Sequence, residues 1–202
     1  MSVQPTESET GMATQRAQHK QERHDQLVAT ARRLFAEKGV ESTTIKDIAE
    51  AAGVAQGLLY HYFDSKEDLL WAIVERYNPL PEMRAVFAGA EGRPVRDVLL
   101  QAATTAYALV TERQDILRIL LREALTRPDF QVRFRALQQI AISIGSDFLR
   151  RRIASGELRP HNTQASVRTF AGSIIAIFLS GASADLIPDM IDNLLGGIAA
   201  PT

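Results

Sequence analysis

Residues 43–70 read TTIKDIAEAAGVAQGLLYHYFDSKEDLL. Thr43 and Thr44 precede an apolar-periodic run, and Asp47 follows Thr44 by three residues. That is the spacing of a helix start in which a hydroxyl and a carboxylate cap each other's backbone. Ile45, Ile48, Ala49 and Ala52 recur at helical spacing, so one face of this helix packs inward. Gly53 ends it, because a tight exit needs a left-handed backbone that glycine adopts easily. Val54 plugs the angle before a second short helix over residues 55–63, whose Leu59 and Phe63 face the core. Gln56, Gly57, Tyr60 and His61 fall on a different face. Asp64 or Ser65 caps the next helix, which Leu69, Leu70, Ile73 and Val74 anchor inward. Two short helices joined by a glycine turn, then a capped third, are the layout of a helix-turn-helix DNA reader.

Upstream, residues 23–38 predict a helix with Leu27, Val28, Ala31, Leu34 and Phe35 as its inner stripe and Gly39 as its stop. Residues 1–21 are rich in Ser, Thr, Glu and Gln, and they predict a disordered arm. Arg16, Lys20 and Arg23 give this arm positive charge for DNA backbone or minor groove. On composition alone it reads as a solvated tail. Downstream, Asn78-Pro79-Leu80-Pro81 ends the helix of residues 65–77, since proline removes a donor and restricts the residue before it. The expected domains are therefore 22–78 for the DNA reader and 79–202 for the rest.

The ordered segment LFAEKGVESTTIKDIAEAAGVAQGLLYHYFDSKEDLL, residues 34–70, resembles the DNA-binding domain of the TetR family of bacterial transcriptional regulators. It carries a glycine after the first helix, a threonine pair, IA-x-x-AGV, Gly-x-Leu-Tyr-x-Tyr-Phe and a Lys-Glu pair. The resemblance spans about fifty residues, from near Arg23 to near Tyr77. It implies an all-helical homodimer with a larger C-terminal domain that binds a small-molecule effector and dimerises. It also implies contacts. Thr44 is similar to a phosphate-contacting cap. Gln56 and Gly57 correspond to residues at base edges in the major groove. Tyr60 and His61 correspond to residues on phosphates or neighbouring base edges, and Lys66 to a phosphate clamp. Leu58 stands where many relatives carry Ser or Thr and offers only apolar contact, for example with a thymine methyl. Helical spacing alone would make Tyr60 a core aromatic and Lys66 half of a solvated pair with Glu67.

Residues 12–70 hold eight Lys or Arg against nine Asp or Glu, and the whole chain 23 against 24. Counterion release drives non-specific DNA binding. A near-neutral reader therefore depends on few phosphate contacts, on base readout and on dimerisation over a palindromic operator. Cysteine is absent, which removes disulfides, thiolate catalysis and Cys-based metal sites. The four histidines (His19, His24, His61 and His161) are scattered, and no Ser/His/Asp order, metal spacing or phosphate loop is present. Hence no enzyme, no cofactor and no metal is expected. No signal peptide is expected, and the uncharged run 169–184 is shorter than the about 20 residues that span a membrane. A cytoplasmic location is the expectation compatible with these features.

The C-terminal part reads as helices only: 82–90, 95–110, 114–125, a long one over 129–155, a second long one over 163–185, and 187–195 ended by Gly196-Gly197. The helix over 163–185 is apolar nearly all round, so it needs cover on every side. With residues 129–155 it looks like the four-helix dimer interface that the family resemblance implies, with Phe148, Gly172, Ser180, Gly181 and Ala184 at the contact. The expected ligand-lining residues are Tyr107, Ile119, Phe134, Ile144, Phe148, Phe170, Ile174 and Phe178, each of which periodicity also reads as core. Arg118, Arg122 and Glu123 fall near this region. The expected effector is of medium size and mostly apolar. Binding it would shift the helix of residues 65–77 and change the spacing of the two recognition helices. A regulator without a small ligand, controlled by a protein partner, and an enzyme fused to a DNA reader are the alternatives.

Overall fold

The computed structural model describes residues 7–198, with side-chain surroundings over residues 15–197. Among the described residues the fold is all-α, with ten helices in chain order. The chain divides into two compact units between Tyr77 and Asn78.

In the first unit, α1 (Glu7–Lys38) buries the expected stripe of Leu27, Val28, Ala31, Leu34 and Phe35. The expected disordered arm is corrected in part. Residues 7–21 continue α1 as helix, while residues 1–6 lie outside the described residues. Ala, Glu, Gln, Arg and Lys all favour helix, and the packed part of α1 supplies the costly nucleus from which the projecting turns propagate. From Gln15 to Arg23 every residue of that projection is exposed.

Gly39 turns the chain with φ 87°. The buried Thr43 hydroxyl donates to the Gly39 carbonyl at 2.8 Å. Thr44 is the N-cap of α2 (Ile45–Ala52), with the reciprocal bonds its spacing predicts. The Asp47 N–H donates to Thr44 Oγ1 at 3.1 Å, and the Thr44 N–H donates to the Asp47 carboxylate at 2.8 Å. Gly53, at φ 67°, closes α2, and the Val54 N–H reaches back to the Ala49 carbonyl. Then follow α3 (Gln56–Tyr62) and α4 (Lys66–Tyr77). Ser65 rather than Asp64 caps α4, accepting from the Asp68 N–H at 3.1 Å. Leu59, Phe63, Leu69, Leu70, Ile73 and Val74 are buried as expected.

The second unit contains α5 (Leu80–Ala88), α6 (Val95–Glu112), α7 (Gln114–Thr126), α8 (Pro128–Ala154), α9 (Thr163–Leu179) and α10 (Leu186–Ile198). Its core gathers Val98, Leu99 and Ala102 of α6, Phe148 and Leu149 of α8, Ile174 of α9, and Ile187 and Ile191 of α10. At the crossing of α8 and α9, a Cβ on Gly145 would stand 2.9 Å from Val167 Cγ2. Gly145 therefore lets the two helices approach as closely as they do. Arg152 pins the α5–α6 connection: it donates to Glu157 (2.8 Å), to the Ala90 carbonyl (2.7 Å) and to the Arg93 carbonyl (2.8 Å). Glu157 in turn accepts the Val95 N–H at 2.7 Å. It thereby satisfies a donor at the start of α6, where Pro94 offers no side-chain cap.

Two helix ends differ from the sequence expectation. The second long helix stops at Leu179, and Gly181 takes φ 68°. Ser180, Gly181 and Ala184 thus belong to the turn before α10, not to a helix face. Gly196 and Gly197, expected as a stop, lie inside α10. Neither takes a positive φ, and packing of Ile187 and Ile191 overrides the weak glycine propensity.

Candidate nucleic-acid interface

α3 is a helix that the protein hardly covers. Leu59 is its buried residue, while Gln56, Gly57, Leu58, Tyr60 and His61 are all exposed. Tyr60 is 49% exposed and Leu58 37%. The core alternative for Tyr60 does not hold. Tyr62 is half-buried, with its ring centroid 6.4 Å from that of His24. An exposed tyrosine and leucine side by side on a helix anchored at one residue form a face made for an outside partner. Gly57 adds to this. A Cβ there would meet nothing within 4 Å, and its backbone is helical. Neither conformation nor internal space requires glycine at this position, so its lack of a side chain is open to the approach of something from outside.

Thr44 is exposed at the start of α2. Its hydroxyl already bonds Asp47, and this hydroxyl, followed by the Thr44 backbone N–H, holds the Asp47 carboxyl below the usual carboxylate range. The Asp47 carboxylate therefore lies over the first turn of α2, where an anion would otherwise sit.

Lys66, expected as a phosphate clamp, has a task inside the fold. Its ammonium donates to the carbonyls of Val40 (2.6 Å), Glu41 (3.2 Å) and Thr43 (3.0 Å). An ammonium carries three donors, and the loop between α1 and α2 engages them. Spacing pointed to Lys66 because it opens a helix next to the reader. Only the fold shows that the chain of residues 40–43 curls its carbonyls around it. Together with the Thr43 hydroxyl, Lys66 sets where α2 begins and so where α3 stands. Lys66→Met keeps the stem and removes the charge. It is expected to destabilise the first unit by about 1–3 kcal/mol, from charge-assisted bonds in a part-exposed setting. Thermal unfolding checks this, and an unchanged midpoint would return Lys66 to the list of DNA contacts.

The expected ligand residues do not gather around one cavity. A groove of about 730 Å³ runs between α9 and α10, lined by Phe170, Ala176, Ile177, Leu186, Met190 and Leu194, with Asp189 and Asn193 at its polar part. Of the expected ligand residues, Phe170 lines it. Ile119, Phe148 and Ile174 are buried, and Tyr107, Phe134, Ile144 and Phe178 are half-buried. Phe134 stacks on Phe130 with ring centroids 5.8 Å apart. Phe148 also falls away from the expected dimer contact. Its ring lies in the core, 5.1 Å from that of Phe87. Arg118 and Arg122 are exposed, whereas Glu123 is buried and accepts from Arg127 at 3.2 Å. The Ser146 hydroxyl, buried in α8, has no hydrogen-bond partner among the described residues.

α9 stays apolar on a side that its own unit leaves open. Ala171, Gly172 and Ala176 are exposed, and Leu179 is 59% exposed. Leu186 of α10 continues this surface at 48%. The sequence pointed to α9 through its all-round apolarity. It missed α10, whose Leu186 and Met190 face the same groove. Among the described residues no three His, Asp or Glu side chains group as metal ligands, and no helix is long and apolar enough to cross a membrane.

The family model of the bacterial regulatory proteins of the tetR family matches residues 27–73. The transcriptional repressor KstR2 of Rhodococcus jostii (strain RHA1) is 37% identical over 91 residues, covering 44% of this chain and 43% of that protein. The chain spans less than half the length of the first curated relatives it matches. Among solved structures, Salmonella enterica GusR is similar with a TM-score of 0.75 at 20% identity, covering 86% of this chain and 94% of its own. AibR, solved in complex with isovaleryl coenzyme A and operator DNA, is similar with a TM-score of 0.64 at 22% identity, covering 89% of this chain and 100% of its own. At these identities the likeness is one of fold.

Proposed function

We propose that this chain, a member of the bacterial TetR family of regulators by its residues 27–73, is a sequence-specific DNA-binding repressor. It works as a homodimer in the cytoplasm and leaves its operator when a small, mostly apolar ligand binds the second unit. The observation that carries this reading is α3: a helix with an exposed Gln56–Gly57–Leu58 start and an exposed Tyr60–His61 pair, moored by Leu59. Gln56 offers an amide that can bond an adenine edge in two places, and Leu58 can touch a thymine methyl. Tyr60 and His61 reach phosphates or adjoining edges, and Thr44, whose hydroxyl is engaged by Asp47, would reach a phosphate only by giving up that bond.

The second copy docks on the exposed α9 face and the adjoining α10 groove. An apolar helix side left open in one protomer is covered most simply by its own copy about a two-fold axis. The same axis presents two copies of α3 to a palindrome. The ligand shifts the dimer between two arrangements by its difference in affinity for them. The unpaired Ser146 hydroxyl is a group that a mostly apolar ligand with one acceptor would satisfy. AibR, which shares the fold, was captured with isovaleryl coenzyme A and operator DNA, and this supports a ligand-gated reading.

The test is a gel shift at fixed salt with duplex DNA from upstream of its own gene, with and without a panel of small apolar compounds. Tight binding to one palindromic fragment, released by a compound, is the expected result. Specific binding that no compound releases would move control to a protein partner. An absence of specific binding would end the DNA-reader reading.

A further inference from the structure

The projecting turns of α1 carry charge in a pattern that composition does not reveal. At about 100° per residue, Arg16, His19, Lys20 and Arg23 fall within about 100° of one face, and Glu22 and Asp25 fall outside it. Leu27 and Leu34 continue the same meridian further along α1, where the helix packs inward. The basic face is thus the outward continuation of the side of α1 that looks onto the helix-turn-helix. Two contacts next to the projection confirm this direction. Gln26 donates to the carbonyl of Ala52, at the end of α2 (3.3 Å), and the His24 ring stands 5.0 Å from Phe63, just after α3. Arg16, His19, Lys20 and Arg23 are exposed. Arg23 directs one of its N–H donors to Gln26 Oε1 at 2.7 Å, and a guanidinium has five.

Resting on the DNA-reader reading, we propose that the Arg16–Lys20–Arg23 face of α1 is a second DNA contact, which grips backbone phosphates beside the groove that α3 enters. Two features select duplex phosphate as the occupant. The face is positive in a unit whose balance is otherwise acidic, so its charge is concentrated where α1 overhangs the reader. It is also continuous with the candidate interface through His24 and Gln26. From Arg16 to Arg23 the helix rises about 10 Å, comparable to three steps of about 3.4 Å along one DNA strand. Phosphates that neutralise its cations would hold it in place, and they would supply the non-specific attraction that the net charge lacks.

The experiment uses the full chain and its triple variant Arg16→Gln, Lys20→Gln, Arg23→Gln. Binding is measured across a salt series on two duplexes, the upstream region of its own gene and a scrambled duplex of equal length. Each phosphate contact adds about 0.9 to the slope of log K against log salt. Three contacts in each protomer make six in the dimer, so the variant should show a slope shallower by about 5 on both duplexes, with the ratio of the two affinities unchanged. Circular dichroism verifies that helix content and melting are kept, and Arg118→Gln, exposed on α7, serves as a charge control that leaves the slope alone. A folded variant with the parental slope overturns the proposal. A slope change confined to the upstream duplex, with a fallen affinity ratio, also overturns it, because the stripe would then read bases. If the parent protein itself does not distinguish the two duplexes, the DNA-reader reading fails and the proposal fails with it.

Discussion

Ala176→Arg is expected to turn the proposed dimer into monomers and to remove operator binding almost entirely. Ala176 is exposed on α9 and lines the groove that Leu186 and Met190 of α10 also line. In a lone protomer the new guanidinium reaches water, so the fold should change by no more than about 0.5 kcal/mol. In the dimer two such charges would lose water inside an apolar contact, where Asp189 of the groove offsets only part of the cost. Desolvation without pairing costs several kcal/mol, and about 3–5 kcal/mol raises a dissociation constant more than a hundredfold. A monomer presents one α3 to one half-site and loses the second half of its contacts. Sedimentation equilibrium and a gel shift on the same sample read both effects. A variant that remains dimeric and keeps full operator affinity would place the contact elsewhere, first of all on α8.

Tyr60→Ala is expected to weaken operator binding by about 1–3 kcal/mol, roughly fivefold to 150-fold. It should leave stability and dimerisation alone. The residue is 49% exposed, so its truncation removes little internal packing. Gly57→Ala makes the complementary case. With nothing within 4 Å of the added Cβ, alanine should raise stability by up to about 1 kcal/mol through helix propensity. Any affinity it loses must then come from a clash with DNA. Unchanged operator affinity in both variants would remove α3 as the reading helix.

Much of the first unit was legible in the sequence because its signals are local. Thr44 and Asp47 find each other across three residues, Gly53 supplies a left-handed exit, and Leu59 and Phe63 meet the core from one side of a short helix. Each depends on backbone geometry that repeats every turn, so spacing suffices to read it. The exposed face of α3 follows by subtraction. The cradle around Lys66 was not legible for the opposite reason. The carbonyls that hold it lie 23 to 26 residues away in the chain, and no periodicity connects them.

The second unit shows the same division. Its helical content, the break around Gly89–Pro94 and the stop after α8 were readable from apolar period and from glycine and proline. Phe148 was not readable as a core ring rather than an interface residue, since both places ask for the same apolar character. Nor was the end of α9 at Leu179. Gly172, Gly196 and Gly197 remain helical, whereas Gly181 breaks. Propensity differs little among these glycines, and the packing of Ile174, Ile187 and Ile191 selects which one turns.

The sequence by itself determined an all-helical chain with a helix-turn-helix near its start, because caps, turns and apolar period act over a few residues. Only the tertiary structure decided which exposed side chains are available to a partner. Burial, the embrace of Lys66, the uncovered side of α9 and the direction of the α1 basic face all arise where distant segments meet, and a one-dimensional pattern carries no record of that meeting.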